Sequence, residues 1–494
     1  MDTTAVLVPD SDSDARERAA IDRSCRVPVL LFFSVAIFWL LMGTLFGMIA
    51  SIKMHVPDFL TTFFGVPAGE LSFGRLRPIH LNIVAYGWAA VVGIGVAIWL
   101  MARLCRAPLR NAWLVCAAGV LWNVGMIAGI FSILLGYGNS IEYLEFPPFV
   151  TFILFLAYAL VSVWAVDMFV HRKKGHVYVS QWYLLAALFW FPWLYGTANI
   201  LLNIQPVAGS VQGIITWWYG HNVLGLWFTP IGLASAYYFI PKVIGRPVYS
   251  YYLSAFGFWA LALFYSWNGG HHLIGGPLPA WLITASSVAS FMMFIPVLVT
   301  AINHHMTMKG NFHMLKYSPT LRFVVFGAMC YTLVSFQGSS MAIRSWNYLT
   351  HFTHYTIGHA HLGLYGFFTM IMFGAVYYIV PRLTNSEWKS ARMIKIHFWF
   401  CAYGIIAMFV ALSIGGLVEG EMLLNPKGAH NTFPDIVEAT KPYLIARSIS
   451  GLLLTVGHVV FAWHFVLMLV GMGRRTAGAT LLTEASEERE GVAI

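Results

Sequence analysis

The chain has 494 residues, of which 59% are hydrophobic and only 10% charged, against about 25% charged in soluble proteins. That excludes a soluble enzyme carrying one anchor and leaves a polytopic membrane protein. The net charge of +9 does not point to nucleic acid, because the basic residues sit in short loops between apolar runs.

Residues 1–27 are polar and mixed in charge, with no apolar core before a small-residue cleavage site, and read as a cytoplasmic tail. A membrane span needs about 20 apolar residues. Twelve are predicted, at 28–51, 80–104, 112–136, 148–170, 180–203, 213–241, 250–269, 279–302, 319–343, 355–381, 393–417 and 443–472. The predicted fold is therefore all-α, with one twelve-helix membrane domain over 28–472 and a second cytoplasmic tail over 473–494. The only long connections are 51–78 and 418–441, both on one side, and no internal repeat is evident. Lys and Arg crowd both tails and the loops on the other side. The side with the long loops has only Lys53, Arg75, Arg77, Arg344, Lys427, Lys441 and Arg447, which places both termini in the cytoplasm.

None of the five cysteines (Cys25, Cys105, Cys116, Cys330, Cys401) forms a Cys-x-x-Cys pair. That excludes a covalently attached c-type haem on this chain and a thiolate-rich metal cluster. The histidines are more informative. His80 opens span 2. His221 lies inside span 6, His271 and His272 follow span 7, and His359 and His361 lie near the outer end of span 10. All six fall at one level in the outer half of the membrane, where imidazoles are costly unless paired or functional. Positions i and i+2 of a helix point about 200° apart, so His359 and His361 serve two different metal groups, one on each side. A histidine of span 2 and one of span 10 can hold a haem iron from both faces. The other span 10 histidine holds a second haem from one side and leaves an open position. His221, His271 and His272 suit copper or zinc. His171, His176, His304, His305 and His313 read as solvated residues of cytoplasmic loops. His397, His458 and His464 read as satisfied polar positions in the bundle. No Asp or Glu falls in the middle of a span. The hydroxyls of Ser254, Tyr331 and Tyr265 do line up from the inner side toward the histidine level.

Four stretches carry a resemblance: Arg77-Pro-Ile-His80, Trp218-Tyr-Gly-His221-Asn, Tyr265-Ser-Trp-Asn-Gly-Gly-His271-His272-Leu and Thr356-Ile-Gly-His359-Ala-His361. With them the chain resembles subunit I of the haem–copper oxidases, and more narrowly the cbb₃-type (C family) cytochrome c oxidases, over roughly 28–472. The resemblance implies that His80 and His361 ligate a low-spin haem b and His359 a high-spin haem b₃. It implies that His221, His271 and His272 hold copper, and that Tyr265 is the active-site tyrosine cross-linked to His221. It places Arg77, Arg447 and His351 near the haem propionates, and Glu142 with Glu145 in an outer-loop motif that helps hold calcium. Ser254, Tyr331 and Tyr265 match the family's single proton path. The implied cofactors are two b-type haems, one copper and one calcium. The implied partners are membrane-anchored c-type cytochrome subunits on separate chains, with soluble cytochrome c as donor. The implied setting is a bacterial inner membrane, where O₂ is reduced to water with proton translocation. Two positions depart from the family: Gln337 stands where a glutamate is usual in span 9, and His354 replaces an acidic residue before span 10.

Two other readings are open. A nitric oxide reductase shares the fold and the six histidines but wants a carboxylate near the span 6 histidine, and His221-Asn-Val-Leu-Gly225 offers none. A transporter using histidines as a proton relay would show internal repeats and broken helices.

Overall fold

The computed structural model describes residues 12–63, 66–425 and 432–474, and the outer parts of both predicted tails lie outside them. Twelve long helices run in order: α1 Asp12–Lys53, α2 Phe73–Cys105, α3 Ala112–Leu134, α4 Pro148–Val170, α5 Val179–Ile204, α6 Ser210–Ile244, α7 Tyr251–Tyr265, α8 Ala280–Met308, α9 Pro319–Met341, α10 His354–Thr384, α11 Ala391–Leu424 and α12 Phe433–Leu469. Eleven are long and apolar enough to cross a membrane. The twelfth, α7, is shorter than the predicted 250–269. It stops at Tyr265, and a 3₁₀ turn over Asn268–Leu273 carries His271 and His272.

Other boundaries also move. The first helix begins at Asp12, so much of the predicted N-terminal tail is helical. The predicted loop 418–441 shrinks, because α11 runs to Leu424 and α12 starts at Phe433 with Thr432 capping it. Hydropathy fixes where a helix enters lipid, not where its hydrogen bonding ends. A two-residue hairpin pairs Thr62–Phe63 with Val66–Pro67 in the connection after α1. His304 is corrected too. It is not in a solvated loop but buried on α8, its ring 4.6 Å from that of Tyr237.

Three helices form the centre. The apolar windows of α2, α6 and α10 are 94%, 83% and 83% buried, whereas those of the other eight lie between 39% and 56%. These three also carry His80, His221, His359 and His361. Each central helix widens into a π segment shortly after its histidine, at Ile83–Ala89, Leu224–Phe228 and Leu362–Thr369. Such bulges re-aim side chains and cluster at functional sites. Thr229 and Thr369 each donate to the carbonyl five residues back, Leu224 and Leu364, at 3.0 Å. With His221 set against His361, Tyr237, Tyr238, Pro241 and Lys242 fall opposite Tyr377, Tyr378, Pro381 and Arg382. A repeat is therefore present that periodicity alone did not reveal. Repeats and distorted helices thus do not separate a transporter from an oxidase here.

Near its start, α1 is tied to the end of α2 and to the loops after α2 and α4. Arg106 pairs with Asp14 and Glu17, Lys173 with Glu17, and Arg103 with Asp22. These basic loops therefore share a side, as the charge bias requires. At the opposite end of the bundle α11 crosses the start of α10 at Gly416, where a Cβ would overlap the Tyr355 backbone nitrogen. Gly416→Ala should therefore cost on the order of 1–3 kcal/mol or more through overpacking. Gly74→Ala, at a position open to space, should be neutral. Yield and thermal denaturation of the detergent-solubilised protein check the contrast.

Candidate metal centre

His221, His271 and His272 converge, with one ring nitrogen of each within 4.8 Å of the others. His221 comes from the end of the regular α-helical part of α6, and the other two from the 3₁₀ turn. Serines of α8 brace that turn. Ser286 Oγ donates to Asn268 O at 2.5 Å, and Ser290 Oγ donates to Ser286 O at 2.8 Å. The Ser290 proton is thus committed, so His271 Nδ1, 2.8 Å from Ser290 Oγ, is the donor. Its Nε2 keeps the lone pair a metal needs. His221 Nδ1 is buried with no protein partner. Trp217 stacks on His272 with ring centres 4.0 Å apart and planes within 11°.

Tyr265 stacks on His221 at 4.5 Å between ring centres. Its ring fills the place a side chain at residue 225 would take, one turn beyond His221. Only glycine there admits the tyrosine. Gly269 has the same role against the Trp217 carbonyl.

The span-borne histidines are oriented alike. His80 Nδ1 donates to Gly43 O and His361 Nδ1 to Ile357 O, both at 2.8 Å. His359 Nδ1 faces Gln337 Oε1 at 3.3 Å. Each bond fixes the tautomer and leaves Nε2 free as a ligand. All three rings are only half-buried although they sit in the middle of the bundle. A cavity of about 460 Å³ lies beside His359, lined by His359 and by His221, His271, His272 and Tyr265. Arg447 adds to the fit. Its guanidinium donates to Met54 Sδ and acts electrostatically on both His80 and His361. A cation so placed calls for an anion, such as a haem propionate. The residues therefore fit two haems and one copper.

The remaining expected residues are placed as follows. Arg77 donates to Glu142 at 2.8 Å, and both line the cavity with His351. Glu145 points elsewhere. It is buried and accepts from Asn82 Nδ2 at 2.8 Å, and burial pushes its carboxyl up to about 7. Ser254 is buried and donates to Tyr251 O, while the buried Tyr331 hydroxyl lines the cavity without a protein partner. Tyr237 and Thr300, which sequence reasoning missed, bring further buried hydroxyls to the same region. His354 is not isolated: its Nδ1 lies against the Glu419 carboxylate, which also accepts from the His354 backbone N–H at 2.8 Å. Gly43 and Gly47 were missed as well. A Cβ at Gly47 would meet the His80 ring at 2.5 Å. The signal was available as Gly43-Thr-Leu-Phe-Gly47, a small-residue spacing that lets helices approach.

Two outcomes are expected. Gly225→Ala should displace Tyr265 and reduce turnover at least tenfold while the metal content holds, read by metal analysis beside O₂ uptake. Glu145 has a raised folded-state pKa, so its contribution to stability is present at acid pH and is lost as pH rises from about 4.5 toward 7. Glu145→Gln should flatten that part of the pH–stability curve, measured by thermal denaturation.

Comparison with known proteins agrees with this geometry. The family model described as cytochrome c and quinol oxidase polypeptide I matches residues 27–453, a range that holds all six histidines. The cbb3-type cytochrome c oxidase subunit CcoN1 of Stutzerimonas stutzeri is 32% identical over 446 residues, 88% of this chain and 92% of that protein. A nitric oxide reductase polypeptide of the same organism is 25% identical, over 88% of this chain and 93% of that one. A structure reported as a heme-copper terminal oxidase dimer superposes with a TM-score of 0.72 at 16% identity, covering 95% of this chain and 86% of its own, which shows a shared fold. The three-histidine cluster facing a fourth imidazole across one cavity thus has its place: this chain is a membrane oxidoreductase that belongs to the cytochrome c and quinol oxidase polypeptide I family and resembles its cbb₃-type members.

Proposed function

We propose that the chain is the catalytic subunit of a bacterial respiratory oxidase that reduces O₂ to water, with c-type cytochromes as electron donors and protons drawn from the cytoplasm. The single observation that carries this reading is the cavity between His359 and the trio His221, His271 and His272, with Tyr265 stacked on His221. Two b-type haems, held by His80 with His361 and by His359, would supply electron transfer and an O₂-binding iron, and copper at the trio would supply the second metal.

The chain's own residues do the rest. The Nδ1 bonds hold four imidazoles in the tautomer that ligates. Leu261, Phe228 and Phe367 keep the far wall apolar. Tyr265 offers a phenol proton and an electron beside the trio, which suits the cleavage of an O–O bond. Ser254, Tyr331 and the added Tyr237 suit proton delivery from the inner side. Arg77 and Arg447 would bind propionates. Calcium, if held at Glu142, competes with Arg77 for that carboxylate. The chain would lie in the inner membrane with both termini in the cytoplasm and with membrane-anchored c-type cytochrome subunits on the outside. Each charge moved across works against about 2.3 kcal/mol per 100 mV.

Nitric oxide reduction is the second reading, since a reductase is among the relatives. The turn after His221 contributes Gly225 to the Tyr265 contact and no carboxylate to the trio, which favours copper and O₂. Metal analysis separates the two: two irons and one copper per chain are expected, and a third iron in place of copper would establish the reductase. His271→Leu should lose the copper and keep both haem spectra. Gln337 replaces an acid beside His359, so Gln337→Glu should lower the high-spin haem potential, because a carboxylate partner gives the imidazole more anionic character. Spectroelectrochemistry checks the sign.

A further inference from the structure

Between Asp167 and Glu387 the chain has no carboxylate side chain, so every Lys and Arg of that stretch must find its counter-charge elsewhere. Two of these arginines, Arg322 of α9 and Arg382 of α10, are half-buried within helices. Arg382 lies in the field of Asp22. No carboxylate acts on Arg322. Its guanidinium is tied instead to the turn before α9, where Nε donates to Leu315 O at 3.0 Å and Nη2 to Lys316 O at 2.6 Å. The same group lies over the Phe398 ring of α11, 5.6 Å from its centre. A guanidinium has five N–H donors. Both Nη1 protons and the second Nη2 proton have no protein partner among the described residues.

The surroundings set the kind of anion that fits. Both α9 and α11 begin at this end, at Pro319 and Ala391, so two helix dipoles present their positive ends to the same level. Lys395, one turn before Phe398 on α11, adds a cation, and the exposed Lys316 adds another from the turn. Arg322 lies three residues into α9, about 4.5 Å from its start at 1.5 Å per residue, a depth from which a long basic side chain reaches the headgroup layer. Beyond it the walls are apolar. Phe326, Met329 and Leu333 follow Arg322 on one face of α9, and Met329 and Leu333 are exposed. Phe326 meets Phe398 edge-on at 5.8 Å. On α11 the exposed Trp399 and Tyr403 stack at 5.3 Å with planes within 23°. A cation at one end of an apolar, ring-lined groove matches a charged headgroup followed by an acyl chain, and basic pockets between membrane helices hold anionic lipids.

We propose that the groove between α9 and α11 binds one anionic phospholipid, with its phosphodiester on the open edge of Arg322 and an acyl chain along Phe326, Met329 and Trp399. The carbonyls of Leu315 and Lys316 hold the guanidinium plane in place, so its Nη1 and Nη2 donors reach two phosphate oxygens together, the geometry that distinguishes arginine from lysine. The absence of carboxylates selects the headgroup. A zwitterionic lipid brings an ammonium that finds no anion here and meets the charges of Lys316 and Lys395. The lipid closes the seam between α9, which carries Gln337 beside His359, and α11, which packs on the start of α10. The site is independent of which donor or acceptor the metal centre uses.

Lipid titration of the delipidated, detergent-solubilised complex tests this, read by native mass spectrometry and by thermal denaturation. Phosphatidylglycerol should be retained at one molecule per chain and raise the denaturation temperature, whereas phosphatidylcholine and inorganic phosphate should do neither. Arg322→Gln should weaken retention about tenfold or more through loss of a bidentate, charge-assisted contact, and Arg322→Lys should restore only part of it. Arg246→Gln removes an exposed arginine whose Nη1 donates to Lys309 O at 3.0 Å, and should bind as the native protein does. Met329→Trp narrows the groove at an exposed position, keeps Arg322, and should also weaken retention. Undiminished binding in Arg322→Gln overturns the proposal, and where that variant does not accumulate, undiminished binding in both Arg322→Lys and Met329→Trp does so. An equal response to phosphatidylcholine or to inorganic phosphate overturns it as well. So does loss of another subunit from Arg322→Gln with lipid binding intact, which assigns this face to a protein partner.

Discussion

An imidazole inside a membrane has two nitrogens to satisfy, and this structure satisfies one of them at a time. His80 and His361 give Nδ1 to backbone carbonyls, His359 faces an amide oxygen, and His271 faces a serine whose own proton is already committed. Each arrangement selects a tautomer and leaves the other nitrogen open as a ligand. The rest of the molecule keeps those rings at one level with their free edges facing inward.

The helices meet this demand by departing from regularity. A straight α-helix turns 100° per residue and cannot place a ligand, a close glycine contact and a buried face at will. The π segments after His80, His221 and His361 let α2, α6 and α10 do so. The early end of α7 serves the same purpose, because it frees His271 and His272 from helical spacing and swings them toward His221. Glycine completes the design at Gly47, Gly225 and Gly269, where a neighbouring ring or carbonyl takes the space of a side chain.

The column of His397, His458 and His464 obeys the opposite rule. Two of its members keep one nitrogen without a protein partner, although the space beside them is closed rather than a ligand cavity. Open nitrogens that face a cavity are suited to bind metal.

By itself the sequence determined the twelve apolar runs and the six histidines at a common depth, because hydropathy is a one-dimensional quantity and depth follows from rise per residue. The opposed directions of His359 and His361 were equally legible, since two positions on one helix need no partner to define their angle. Tertiary structure alone decided what crosses between helices. It set the end of α7 at Tyr265, the burial of His304 against Tyr237, the contact of His354 with Glu419, and the unpartnered nitrogens of His397 and His464. Each of those depends on which face of one helix meets which face of another, a relation that no spacing along a single chain contains.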